Sequence, residues 1–213
     1  MKILRKPLGI LGANCYIISS EEKNAAIIDP GGNAEVIIDM LNKEGFTLQM
    51  ILLTHGHFDH TAGVGALHQK FPDLPIYIHR EDGEMLTDPM KNVSAEMGLA
   101  YDTIADYKPL EDGDVIRLDE LKIQLIHTPG HSKGSSIFIV GDKIFSGDTL
   151  FQGSYGRYDF YGGDYQALMN SLKKIASLNG DYHIYPGHNE ETTLDYERKT
   201  NPCLGMMSYD DYL

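Results

Sequence analysis

Cysteine is scarce in this chain. There are two in 213 residues, Cys15 and Cys203, far apart and in no CxxC arrangement. This excludes a disulfide scaffold, and the pair reads as two buried free thiols of a reducing cytoplasm, with a single bridge between them as the alternative. Positive charge is also in short supply: 18 Lys and Arg stand against 31 Asp and Glu, a net charge of −13. A phosphate backbone or an anionic membrane surface is repelled on average, so neither nucleic acid nor membrane is expected as a partner. No apolar run is long enough for a transmembrane helix. Lys2, Arg5 and Lys6 precede an apolar stretch that reaches Ile18, the outline of a signal peptide. Pro7, Gly9, Gly12 and Asn14 break it and no small-x-small cleavage site follows, so a cytoplasmic protein without a leader is expected. No internal repeat is visible at the level of short motifs.

What is present suits an ordinary soluble globular chain. The apolar fraction of 42% and the charged fraction of 23% argue against long disorder, and the length fits one domain over residues 1–213. Short β-branched runs at 14–19 and 25–29, separated by a polar stretch, predict a hairpin. Asn33 is placed to cap a helix with Val36, Ile37, Met40 and Leu41 on one face, and Gly45 closes it. A strand at 50–53, a helix at 62–71 stopped by Pro72, and a strand at 76–79 follow. Residues 81–108 show no firm period and read as irregular or partly helical, a flap over a site. Further strands are predicted at 115–118, 122–127, 136–140, 143–145 and 183–185, with the two-residue turn Gly141-Asp142 joining one pair. An amphipathic helix spans 165–178, and Thr192 with Asp195 forms a capping box for a short final helix that Asn201-Pro202 stops. Strand pairs with helices interleaved imply a layered α/β fold.

Four of these apolar runs end in loops that carry candidate ligands. His55, His57, Asp59 and His60 follow the first, His131 the second, Asp148 the third and His188 the fourth. Such groups converge if the strands are neighbours with aligned ends. Five histidines and two aspartates are too many for one tetrahedral ion and fit two, with a carboxylate between them. Imidazole and carboxylate accept zinc, iron and manganese alike.

The motifs Thr54-His55-x-His57-x-Asp59-His60, Thr128-Pro129-Gly130-His131, Ser146-Gly147-Asp148-Thr149 and Pro186-Gly187-His188, in this order, resemble those of the metallo-β-lactamase fold superfamily. The likeness runs from the Asp29-Pro30-Gly31-Gly32 turn to His188. Gly147 to Phe151, Gly156 to Phe160 and the stretch from Pro186 to Pro202 are similar to the single-domain, glyoxalase II-like (hydroxyacylglutathione hydrolase-like) subgroup. The resemblance implies a four-layer αβ/βα sandwich and two divalent ions, zinc foremost. His55, His57 and His131 would bind the first ion, Asp59, His60 and His188 the second, and Asp148 would bridge them. It also implies a hydrolase of a small-molecule thioester such as S-lactoylglutathione, acting through a hydroxide shared by the ions. Asp59 would also orient that nucleophile. Read from the residues themselves, Arg157 in the Gly-rich loop after Asp148 is expected to bind a substrate carboxylate, with Tyr155 or Tyr158 packing on the ligand; a surface pairing of Arg157 with Asp159 and a core Tyr158 are the alternatives. Glyoxalase II itself carries a C-terminal helical domain that helps hold glutathione, whereas 25 residues follow His188 here. Related readings of the same fold are a mononuclear iron persulfide dioxygenase and a lactonase or other ester hydrolase.

Overall fold

The structure, a computed structural model, describes residues 1–205; the last part of the expected 1–213 domain lies outside the described residues. The chain begins with three strands, β1 (Lys2–Leu8), β2 (Ala13–Ser19) and β3 (Asn24–Ile28), followed by helix α1 (Ala34–Glu44) and strand β4 (Thr47–Leu52). Two short helices, α2 (Phe58–Thr61) and α3 (Val64–Lys70), lead to β5 (Ile76–His79), a 3₁₀ helix (Arg80–Leu86) and β6 (Lys108–Leu110). Then come β7 (Val115–Leu118), β8 (Leu121–His127), β9 (Ser136–Val140), β10 (Lys143–Gly147) and the small pair β11 (Leu150–Phe151) and β12 (Ser154–Tyr155). Helix α4 (Tyr165–Ala176), strands β13 (His183–Pro186) and β14 (Thr192–Thr193), and helices α5 (Leu194–Thr200) and α6 (Pro202–Gly205) complete the described chain.

Two six-stranded sheets form, in the orders β1-β2-β3-β4-β5-β6 and β14-β13-β10-β9-β8-β7. The strands explain why the sequence shows continuous apolar runs instead of alternation. Their inner residues are buried on both faces, and successive side chains go to different cores. Along β2 and β3, Cys15, Ile17, Ala25 and Ile27 pack with Ile37 and Leu41 of α1 and Leu67 of α3. Their neighbours Tyr16, Ile18, Ala26 and Ile28 pack with Phe138 and Phe145 of the other sheet. On the far side, Ile137 and Ile144 meet Leu168, Leu172 and Ile175 of α4 and Leu194 of α5. Helix, sheet, sheet, helix is the expected four-layer αβ/βα sandwich. Among the described residues no helix is long and apolar enough to cross a membrane.

The hairpin at β2–β3 and the α1 caps are as expected, with Asn33 accepting from the Glu35 amide and Gly45 in the left-handed conformation. The expected helix at 62–71 is present as α3, and a further short helix, α2, which was not expected, precedes it across a break at Gly63. There the chain passes so close to the Pro30 and Gly32 carbonyls that a Cβ would lie 2.7 and 2.2 Å from their oxygens. The first of the two starts inside the histidine motif and puts Asp59 and His60 on a helical turn. The edge strand β1 was not expected, because its charged residues and Pro7 mask the pattern; such residues are tolerated on an edge. The helix expected after Thr192, α5, is capped by Thr193, whose hydroxyl accepts from the Tyr196 amide, and not by Thr192. Thr192 is paired with Ile184 in the sheet, and its hydroxyl donates to Glu197 Oε1 at 2.6 Å. Residues 81–108 begin with the 3₁₀ helix and then run without regular structure to β6.

Candidate metal centre

Strand directions bring the ligand loops to one rim. β8 and β10 both run antiparallel to β9, and β10 runs parallel to β13, so these three strands of one sheet end on the same side. His131, Asp148 and His188 hang from their ends, and β4 of the other sheet delivers His55 to His60. All seven predicted ligands are thereby brought together. Their nitrogen and oxygen atoms fall into two groups. In one, His131 Nε2 lies 2.9 Å from His57 Nδ1 and 3.2 Å from His55 Nε2. In the other, His188 Nε2 lies 3.3 Å from His60 Nε2 and 3.2 Å from Asp59 Oδ2. Asp148 stands between them, with Oδ1 3.3 Å from His60 Nε2 and Oδ2 3.7 Å from His131 Nε2. Gly187 makes this crowding possible, since a Cβ there would sit 2.2 Å from Asp148 Oδ1.

The tautomers follow from hydrogen bonds on the far side of each ring. Asp29, which the sequence marks only as a turn residue, is central. Its Oδ1 accepts from the Thr54 amide at 2.8 Å, and its Oδ2 accepts from the Thr54 hydroxyl at 2.6 Å. The same Oδ2 lies 3.0 Å from His60 Nδ1, and a carboxylate requires that nitrogen to carry the proton. The Thr54 hydroxyl, having donated to Asp29, accepts from His55 Nδ1 at 3.0 Å. His131 Nδ1 donates to the Arg157 carbonyl at 2.7 Å. In their neutral forms His55, His60 and His131 therefore each carry the lone pair on Nε2, the atom turned toward the other ligands and Asp148. Asp29 itself takes a left-handed backbone with φ 51°, which a short polar residue tolerates.

A second aspartate was equally hidden. Asp82, in the stretch without period, is fully buried and accepts from the Gly56 amide, the Gly134 amide and the Ser132 hydroxyl. It ties the loop that carries His55 and His57 to the loop that carries His131.

Electrostatics separate the two groups. Burial, reinforced by the neighbouring imidazoles, pushes His55 well below the ordinary histidine range and His57 down to about 3, so both are neutral at pH 7. His60 goes the other way: burial opposes its charge, but Asp148 and Asp59 override it and hold the ring well above its usual value, so a bound cation would take the place of a proton on Nε2. Burial likewise opposes ionisation of Asp148, and the charge on His60 close beside it keeps the carboxyl well below the usual carboxylate range.

The donor set fits divalent cations. The lone pairs of His55 Nε2 and His131 Nε2, 3.2 Å apart, repel each other unless a cation lies between them, and ligands about 2.0–2.1 Å from a tetrahedral ion would be spaced by about 3.3 Å. Asp148 Oδ1 is buried yet makes no hydrogen bond of acceptable geometry. Among the described residues, three sets could each hold an ion: His55, His57 and His131; Asp59, His60 and His188; and Asp29, His55 and His60.

A bowl of about 450 Å³ opens above the centre, walled by Leu11, Phe58, Val93, Met97, Phe151 and Phe160. Arg157 reaches it, but its Nε and Nη2 donate to the two carboxylate oxygens of Asp159 at 2.7 and 2.8 Å. Tyr158 is exposed and packs against Tyr165, outside the bowl's lining. His127 stacks on His79 with ring centroids 3.8 Å apart, away from the ligands.

Comparison with known proteins agrees with this geometry. The sequence model of the metallo-beta-lactamase superfamily matches residues 8–188. The hydroxyacylglutathione hydrolase GloC of Haemophilus influenzae is 37% identical over 209 residues, covering 95% of this chain and 97% of that protein. Among solved structures, the B3 metallo-beta-lactamase BLEG-1 superposes with a TM-score of 0.87 at 36% identity, over 95% of this chain and 99% of that one. TTHA1623 in a di-iron-bound form gives 0.84 at 39% identity, over 93% and 98%.

Proposed function

The chain belongs to the metallo-beta-lactamase superfamily, and from that premise we propose that it is a dinuclear metal-dependent hydrolase of thioesters, with S-lactoylglutathione the first substrate to try. The observation that supports this most is the convergence of seven ligand side chains from four strand ends into two groups that share Asp148. His55, His57 and His131 would hold one ion and Asp59, His60 and His188 the other. When bound, such a pair supplies an activated water at neutral pH and polarises a carbonyl oxygen.

The remaining chemistry belongs to side chains. Asp59 is held below the usual carboxylate range: burial opposes its ionisation, but the charge on His60 and the bond to His188 prevail. It is therefore ionised at pH 7, and as a ligand of the second ion it would also orient the attacking water. Phe58, Phe151 and Phe160 keep bulk solvent from the reacting carbonyl. Apart from the ligands, Arg157 is the one proton-bearing side chain among the residues lining the bowl, and a guanidinium does not give up its proton. A thiolate, whose conjugate acid has a pKa of roughly 8.5, departs without a donor, and an amide nitrogen does not. This favours thioesters over lactams.

The test is to purify the protein, count metals per chain, and measure S-lactoylglutathione hydrolysis beside oxygen uptake with glutathione persulfide. Two ions with hydrolysis are expected; one iron with oxygen consumption would refute the proposal. His57→Ala and Asp148→Ala should each lower metal content and reduce kcat/KM by more than about a hundredfold, the upper range for changes one step outside a metal's ligands.

A further inference from the structure

The bowl has a chemistry of its own. Three separate stretches build its apolar wall: Leu11 between β1 and β2, Val93 and Met97 from the irregular segment before β6, and Phe151 and Phe160 from the segment before α4. Leu11 and Met97 remain 48% and 46% exposed, so folding alone does not account for them. Val93 is buried in a left-handed conformation with φ 73°, where a β-branched residue is a costly exception. It is fixed there by its neighbours. The Phe58 amide donates to the Asn92 carbonyl, the Asn92 side chain donates to the Met85 carbonyl, and the Ser94 amide donates to Asn92 Oδ1, each at 3.0 Å. Charge is withheld from the same surface. Arg157 Nε and Nη2 are taken by Asp159, and its guanidinium lies 3.7 Å over the Phe160 ring, so a carboxylate entering the bowl meets a cation whose charge is already paired.

Building on the hydrolase reading above, we infer that the substrate carries an uncharged apolar arm of several carbons beside the bond that is cut, held by Leu11, Val93, Met97, Phe151 and Phe160. A short hydroxylated group such as lactoyl leaves most of this wall wet. Burying a methylene is worth about 0.8 kcal/mol, close to a fourfold change in affinity, so lengthening the arm should be felt step by step until the bowl is full.

The experiment uses the metal-loaded full chain and two series built on the small uncharged thiol N-acetylcysteamine. Thioethers with alkyl groups of two, four and six carbons, which cannot be hydrolysed, are measured by calorimetry. Acyl thioesters of the same lengths are assayed beside S-lactoylglutathione. The dissociation constant should fall about fourfold per methylene, and hexanoyl should exceed lactoyl in kcat/KM by about tenfold. Leu11→Ser and Met97→Ser, half-exposed positions outside the three cores, should each flatten both slopes. Thioether affinities that ignore chain length, or slopes the two variants leave intact, overturn the inference. Length-dependent thioether binding with no hydrolysis of any thioester overturns the hydrolase reading instead and leaves the apolar subsite standing.

Discussion

Asp29 lies one hydrogen bond outside the seven predicted ligands and yet decides the form of two of them. Through its own carboxylate and the Thr54 hydroxyl it places protons on Nδ1 of His60 and His55 and so turns both Nε2 lone pairs inward. Partners of this kind commonly account for 10–100-fold in metal affinity. Asp29→Ala should therefore weaken binding by about that factor in a competition titration with a chromogenic chelator, while the circular dichroism of the loaded protein stays the same; unchanged affinity would show that the tautomers are set elsewhere. The ligands themselves were legible because histidine and aspartate follow directly on apolar runs. Asp29 and Asp82 were not. Their partners lie at distances of 25 to 52 residues along the chain, and nothing local distinguishes a carboxylate that orients a loop from one that ends a turn. Arg157 illustrates the converse: a plausible anion-binding residue from its loop, it is closed by the aspartate two positions on.

Among the elements, those with strong period and clear caps were read nearly as they stand. α1 has its Asn33 cap and Gly45 stop, and α4 its apolar face of Leu168, Leu172 and Ile175. Elements were missed where tertiary contacts, and not local pattern, create them. β1 exists because β2 offers it a full register of partners from Lys2 opposite Ser19 to Leu8 opposite Ala13. The break between α2 and α3 comes from backbone oxygens more than thirty residues earlier in the chain. The junction of β5 with the 3₁₀ helix offers a test by pH. His79 caps that helix by accepting from the Glu81 amide and is pushed down to about 4, first by burial and then by the stacked His127. A histidine held neutral in the fold contributes stability above its unfolded pKa of about 6.5 and loses it as pH falls through the folded value. The urea midpoint should accordingly drop between pH 7 and pH 4.5, and His79→Asn, which keeps a capping acceptor, should make that drop shallower. An identical pH dependence in the variant would locate the effect in other groups.

For the molecule as a whole, the net charge of −13 is concentrated in part where Asp29, Asp59 and Asp148 meet. Divalent ions there would relieve repulsion and at the same time bridge the two sheets, because β4 lies in one and β8, β10 and β13 in the other. A ligand present at a thousandfold its dissociation constant stabilises by about 4 kcal/mol, which for a chain of this size corresponds to a Tm shift on the order of 10 °C. Exhaustive chelation should lower Tm by about that much and re-addition of zinc should restore it; a Tm indifferent to chelator would mean that the sheets hold together without help from the centre.

The rim on which the ligands hang has a consequence for how such a protein can change over time. Side chains within the strands serve the three cores, and side chains just past the strand ends carry the chemistry, so stability and reactivity are written in different residues. The bowl walls are a third set, drawn from the β1–β2 loop, the irregular segment before β6 and the stretch before α4. Mutations in that set re-cut the pocket outside the three cores and outside the ligand set itself. A lineage built on this plan can therefore acquire new substrates by loop exchange alone, with the sandwich and its rim inherited intact.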